Sequence, residues 1–134
     1  MIATEKIETS VADVFYDDGI MHIYFKKDSI IELKHIEEII EIRRDLQQGE
    51  RTVTLVDTGK LWRVEKDARQ RAASSDMVNQ NISLAIIAKS LANRLIVNFY
   101  MKVDKPNIPT RMFNNYEEAK AWLKSDSARN DYSN

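Results

Sequence analysis

The stretch "ISLAIIAKSLANRLIVNF", Ile82 to Phe99, carries the strongest architectural signal in the chain. Its first seven residues, through Ala88, are uncharged and mostly apolar, the pattern of a short strand buried on both faces. Lys89 interrupts the run, Ser90 stands where a helix cap belongs, and Leu91, Ala92, Leu95, Ile96 and Phe99 recur at helical spacing. A doubly buried strand followed at once by a helix is half of a βαβ crossover, so the chain reads as an α/β protein.

Working toward the amino terminus, Thr52 to Val56 is a second β-branched, uncharged strand that ends at Asp57. It leads through "TGKLW" into a helix whose small or apolar residues Val64, Ala68, Ala72 and Ser75 are three or four apart, a narrow face suited to close packing on a sheet. Before that strand, Ser29 followed by Glu32 has the form of a capping box. Leu33, Ile36, Ile39, Ile40 and Leu46 give the helix an apolar stripe, and Gly49 stops it after about Gln48. Val11 to Tyr16 and Ile20 to Phe25 are β-rich and flank Asp17-Asp18-Gly19, a hairpin composition. On the second of these strands Ile20, His22 and Tyr24 face one way and Met21, Ile23 and Phe25 the other, so both sides are expected to be covered.

Toward the carboxyl terminus, Pro106 and Pro109 bracket a loop, a short strand runs through Met112 and Phe113, and Asn115 caps a last helix. Tyr116, Ala119, Trp122 and Leu123 share its inner face, which makes Trp122 a core residue. The expected order is ββαβαβαβα: one domain over residues 1–124 with a mixed sheet of about five strands and helices packed on it, and a polar, frayed tail over 125–134.

Bulk properties agree with a packed core. The chain has 134 residues, 43% hydrophobic and 31% charged, with three glycines and two prolines, which leaves little scope for linkers. Zero cysteines exclude disulfides, thiolate metal sites and a cysteine nucleophile, and they suit a reducing compartment. Glu5, Lys6 and Glu8 follow Met1-Ile2-Ala3 directly, and Lys89, Asn93 and Arg94 break the most apolar region, so neither an export signal nor a membrane insertion is expected. Cytoplasmic localisation follows as the expectation. Net charge is −1, with residues 1–50 at −6 and residues 51–134 at +5, which lacks the basic bias of a nucleic-acid binder. Neither GxxxxGK[ST] nor GxGxxG occurs, no cofactor is expected, and His22 and His35 stand apart from any cluster with metal-ligand spacing.

The element order, together with "MFNNYEEAKAWLKS" at residues 112–125, resembles the SpoIIAA-like branch of the STAS superfamily over about residues 9–124. The resemblance implies a small cytosolic bacterial α/β domain, kin in fold to anti-sigma-factor antagonists and to CRAL-TRIO lipid-binding domains. In the antagonists an Asp-Ser pair at the start of the second helix carries a phosphorylation switch. Here that place reads Val64-Glu65-Lys66-Asp67, with no hydroxyl closer than Thr58 and Ser74-Ser75, so the switch is not carried over.

Function therefore centres on the corner from Asp57 to Arg71. Asp57 ends a parallel strand, where α/β sheets place functional groups, but its simplest role is to cap the turn. Lys60, Arg63, Lys66, Arg69 and Arg71 form either a basic patch or a solvated, ion-paired surface. Trp62, in a loop beside Leu61, is either an anchor for a partner or a lid folded over the helix. No catalytic set accompanies them. The expectation is a non-enzymatic regulatory or protein-interaction domain that docks through Asp57, Thr58, Lys60, Leu61, Trp62, Arg63, Lys66 and Arg69. Its partner would be another protein, with a homodimer also expected from open sheet edges. The alternative is a domain that binds an apolar or anionic small molecule or a lipid.

Overall fold

In the computed structural model, which describes residues 3–74 and 81–125, a six-stranded mixed sheet forms the centre of the molecule. Its strands are β1 (Ile7–Glu8), β2 (Ala12–Asp17), β3 (Ile20–Phe25), β5 (Thr52–Asp57), β7 (Asn81–Ile87) and β8 (Thr110–Phe113), adjacent in that order. The β1, β2 and β3 strands pair antiparallel, and β3, β5, β7 and β8 pair parallel. Sequence reading gave five of these strands. It missed β1, two residues too short for any periodicity, and it missed the parallel pair β4 (Ile30–Ile31) and β6 (Arg63–Val64) that forms a separate small sheet.

The hairpin turn suits its residues, since Asp18 has φ 54° and Gly19 φ 75°, the left-handed pair that a tight turn between twisted strands requires. The α1 helix (Leu33–Gln47) ends at Gln48 and Gly49, both with positive φ. Its start differs from the sequence expectation. Glu32, not Ser29, is the N-cap, and its N–H donates to His35 Nδ1 at 2.9 Å. Ser29 is drawn away because its hydroxyl donates to the Lys26 carbonyl at 2.7 Å, and its own carbonyl accepts from Trp62 N at 2.8 Å.

The remaining helices among the described residues are α2 (Lys66–Ala72), α3 (Leu91–Phe99) and α4 (Tyr116–Leu123). Ser90 caps α3 by accepting from Asn93 N at 3.1 Å, and Asn115 caps α4 by accepting from Glu118 N at 2.9 Å, as their sequence positions predict. A π-helical turn, Tyr100–Asp104, extends α3 and closes with Lys105 N donating to the Tyr100 carbonyl at 3.0 Å. Ser75 of the expected small-residue face lies outside the described residues, as do residues 126–134 of the tail; Ser125 is held by its hydroxyl on the Trp122 carbonyl.

Each parallel crossover steps the chain in one direction across the sheet, so α1, α2 and α3 share one face and α4 returns over the other. The pleat divides the core accordingly. Met21, Ile23, Leu84 and Ile86 lie under the three helices, whereas Ile20, Val53, Leu55, Ala85 and Ile87 pack against Ala119, Trp122 and Leu123. Trp122 is a core residue, as its spacing indicates. No helix among the described residues is long and apolar enough to cross a membrane.

Candidate functional site

The corner after β5 is built by its backbone before any side chain matters. Asp57 Oδ1 accepts from Gly59 N at 2.8 Å, which is the turn-capping role that its position suggests. Gly59 has φ 55°, and a Cβ there would lie 2.8 Å from the Phe25 carbonyl oxygen, so the strand end and the corner can approach only because this residue has no side chain. Thr58 is buried and donates its hydroxyl to the Ile87 carbonyl at 2.7 Å. The Asn93 amide of α3 then donates to Thr58 Oγ1 at 3.2 Å and to the Gly59 carbonyl at 2.8 Å. Three elements are thus tied at one point: the end of β5, the end of β7 and the first turn of α3.

Beyond the glycine, Leu61 turns inward and Trp62 outward. Leu61 is 6% exposed and packs in the core with Ile31 and Ala68. Trp62 is 69% exposed, and the β4–β6 pair holds it there through the bond from its N–H to the Ser29 carbonyl. Thr58 and Leu61, both expected among the contact residues, are buried and support the corner from within. Lys60, Arg63 and Lys66 are exposed, Asp57 is half-buried, and Arg69 is largely covered.

Three of the five basic residues are engaged in ion pairs, two of which reach across elements. Arg63 Nε lies 3.1 Å from Glu65 Oε1, Arg69 Nε lies 3.0 Å from Asp104 Oδ2, and Arg71 meets Glu37 of α1. These pairs make much of the cluster a fastened surface rather than a field of open cations.

Sequence reading missed the partner of Trp62. In α3 the inward positions are Asn93 and Val97, while Leu91, Leu95 and Phe99 are 75%, 61% and 47% exposed. The apolar stripe read from the spacing faces largely outward, because Asn93 points at the corner, where its amide is satisfied. Trp62, Arg63, Val64 and Arg69 form one wall of a surface groove, and Ala92, Leu95, Ile96 and Phe99 form the other. The Arg69 guanidinium lies 4.5 Å from the Phe99 ring centroid and links the two walls.

Polar side chains of β3 and α1 are buried as well. His22 stacks on Phe15 at 4.6 Å between centroids, with Nδ1 3.0 Å from Tyr24 Oη and Nε2 3.2 Å from the Asp17 carbonyl. Burial is the main reason that its pKa falls below the ordinary histidine value, and burial likewise raises the Tyr24 hydroxyl to about 12. His35, a boundary residue by its helix position, is 9% exposed and accepts a backbone N–H. Arg43 on α1 is fully buried; its Nη2 donates to Thr54 Oγ1 at 2.9 Å and to Asn81 Oδ1 at 2.6 Å. Gln47, one turn later, donates to Thr52 Oγ1 at 3.0 Å. The available signal for both was spacing: Ile36, Ile39, Ile40, Arg43 and Gln47 continue a single helical stripe. Among the described residues no cluster of histidine and acidic side chains is able to hold a metal ion.

A family described as Domain of unknown function (DUF7793) matches residues 14–127, and the chain belongs to that family. No curated protein matches it.

Proposed function

We propose that this DUF7793 chain is a non-enzymatic, cytoplasmic protein-interaction domain that docks a partner in the groove between the Trp62 corner and α3. The observation that carries the reading is the exposure of Trp62 beside the exposed side chains Leu95 and Phe99. A monomer does not gain from leaving three large apolar side chains together in water, whereas an interface anchored by an aromatic ring does. Lys60 and Lys66 are exposed along the corner beside the Arg63–Glu65 pair, which suits a partner segment that has an apolar anchor and acidic flanks. Asp57 supports the same reading, since its carboxylate caps the turn and has no catalytic companion in the arrangement described. The STAS-like kinship is part of the proposal, supported by the strand order and by α4 packing on the second face, the one helix there among the described residues.

The experiment is a pull-down from the native host with wild type, Trp62→Ala and Leu95→Asp, each checked for its fold by circular dichroism. The reading requires a partner that wild type retains and both folded variants lose. A folded Trp62→Ala that keeps every partner removes this groove as the docking site.

A further inference from the structure

One row of α3 faces away from the sheet and runs on past the end of the helix. Leu91, Leu95 and Phe99 follow one another four residues apart, all exposed, and Val103, four further on in the π-helical turn, is 57% exposed. A step of four overshoots a 3.6-residue turn by about 40°. The wider winding of the π-helical turn, where Lys105 N donates to the Tyr100 carbonyl, reduces that drift before Val103. The docking groove uses only the middle of the row. Leu91 and Val103 do not line it, so a partner seated between Trp62 and α3 leaves both ends of the row in water.

The charges beside the row have one sign. Arg94 and Lys102 stand three residues after Leu91 and Phe99, which places them on the same side of the helix. Lys89 and Lys105 stand at its two ends, and all four cations are exposed. None of the four has an ion-pair partner among the described residues. The only carboxylate between residues 89 and 105 is Asp104, whose side chain is 4% exposed and paired with Arg69. A second copy packed row on row would set cations against cations, which disfavours self-association through this face. A flat anionic surface with hydrocarbon beneath it meets both demands, since apolar side chains enter the headgroup boundary while Lys and Arg remain at the phosphates.

We propose that α3 and the π-helical turn lie on the surface of a membrane rich in anionic phospholipid, with Leu91, Leu95, Phe99 and Val103 entering the headgroup boundary. The chain adsorbs without crossing, since no helix among the described residues is long and apolar enough to span a bilayer. The inference goes beyond the docking groove and does not rest on it; a bilayer and a groove partner exclude one another at Leu95 and Phe99.

The test is co-sedimentation of the full chain with vesicles of phosphatidylcholine alone and of equal parts phosphatidylcholine and phosphatidylglycerol. Wild type is expected to bind the mixed vesicles at least fivefold more tightly than the neutral ones. The double variant Leu91→Ser with Val103→Ser removes hydrocarbon and no charge, and is expected to weaken mixed-vesicle binding at least fivefold with an unchanged circular dichroism spectrum. Lys89→Gln with Lys102→Gln is expected to reduce the preference for mixed over neutral vesicles at least threefold. The proposal is overturned if wild type ignores both vesicles, or if the folded serine variant binds them as wild type does. A wild type that ignores vesicles and a serine variant that loses a protein partner would assign the row to a protein interface and overturn it equally. Because neither serine position lines the groove, loss of vesicle binding with the groove partner retained separates the two surfaces, and absence of vesicle binding leaves the pull-down result standing.

Discussion

Arg69 of α2 and Asp104 of the π-helical turn form an ion pair with 3.0 Å between Nε and Oδ2, and their side chains are only 18% and 4% exposed. The same guanidinium lies over Phe99, and Tyr100 donates its hydroxyl to the Ala72 carbonyl at 3.2 Å, so α2 and the end of α3 are joined three ways along the groove. Removing one member of such a covered pair leaves the other charge desolvated. Asp104→Asn is therefore expected to cost about 3 kcal/mol of unfolding free energy, measured by urea denaturation with an unchanged slope. A loss below about 0.5 kcal/mol, the range of an ordinary surface change, would show the pair to be solvated.

Gly59→Ala places a Cβ against the Phe25 carbonyl and requires an alanine at φ 55°. The obstructing atom belongs to the backbone and cannot rotate away. The substitution is expected to cost about 2 kcal/mol or more, the combined effect of left-handed strain and displaced backbone. The hydrogen bond from Asp28 N to the Lys60 carbonyl, 2.8 Å long, is expected to exchange faster in the variant, as amide hydrogen exchange would report.

His22 gives the fold a pH dependence whose sign is fixed. Its folded pKa is depressed by burial, so the unfolded chain takes up a proton first as pH falls. The stability associated with neutral His22 is complete above the unfolded value of about 6.5 and declines below it. NMR titration is expected to place the His22 pKa under that value. His22→Phe is expected to flatten the stability profile below about pH 6.5, and a profile as steep as wild type would assign the dependence to other groups.

The two tryptophans should separate spectroscopically, because Trp62 is 69% exposed and Trp122 is 7% exposed. Trp62→Phe is expected to remove the red-shifted, acrylamide-quenchable part of the fluorescence and leave a blue-shifted emission from Trp122. Because Trp62 contributes little to the core, its loss should change stability by no more than about 0.5 kcal/mol. A greater loss would mean that the ring lies over the helix as a lid and is not available to a partner.

Local chemistry made much of this architecture readable in advance. Ser90 and Asn115 announce α3 and α4 because a short polar side chain can satisfy the open N–H groups of a first turn without help from elsewhere. Asp18-Gly19 announces the hairpin because few residues accept two successive positive φ angles. The two faces of β3 and the burial of Trp122 follow from periods of two and of three to four. Ser29 misleads because its hydroxyl has a second acceptor at Lys26, a competition that only the folded path of the chain settles.

Order, class and the faces of the strands were thus set along the chain, by contacts that span only a few residues. The site was set across it. A helical stripe does not state whether it faces a sheet or the solvent, and in α3 the choice fell to Asn93, whose amide reaches Thr58 and Gly59 more than thirty positions away and so turns Leu95 and Phe99 outward toward Trp62. Likewise Leu61 became core and Trp62 surface because Ile30 and Ile31 pair in parallel with Arg63 and Val64, and Arg43 became internal because Thr54 and Asn81, from two different strands, accept its hydrogen bonds. Each outcome is a hydrogen bond or pairing between segments distant in sequence, and its partner exists only once the sheet has assembled.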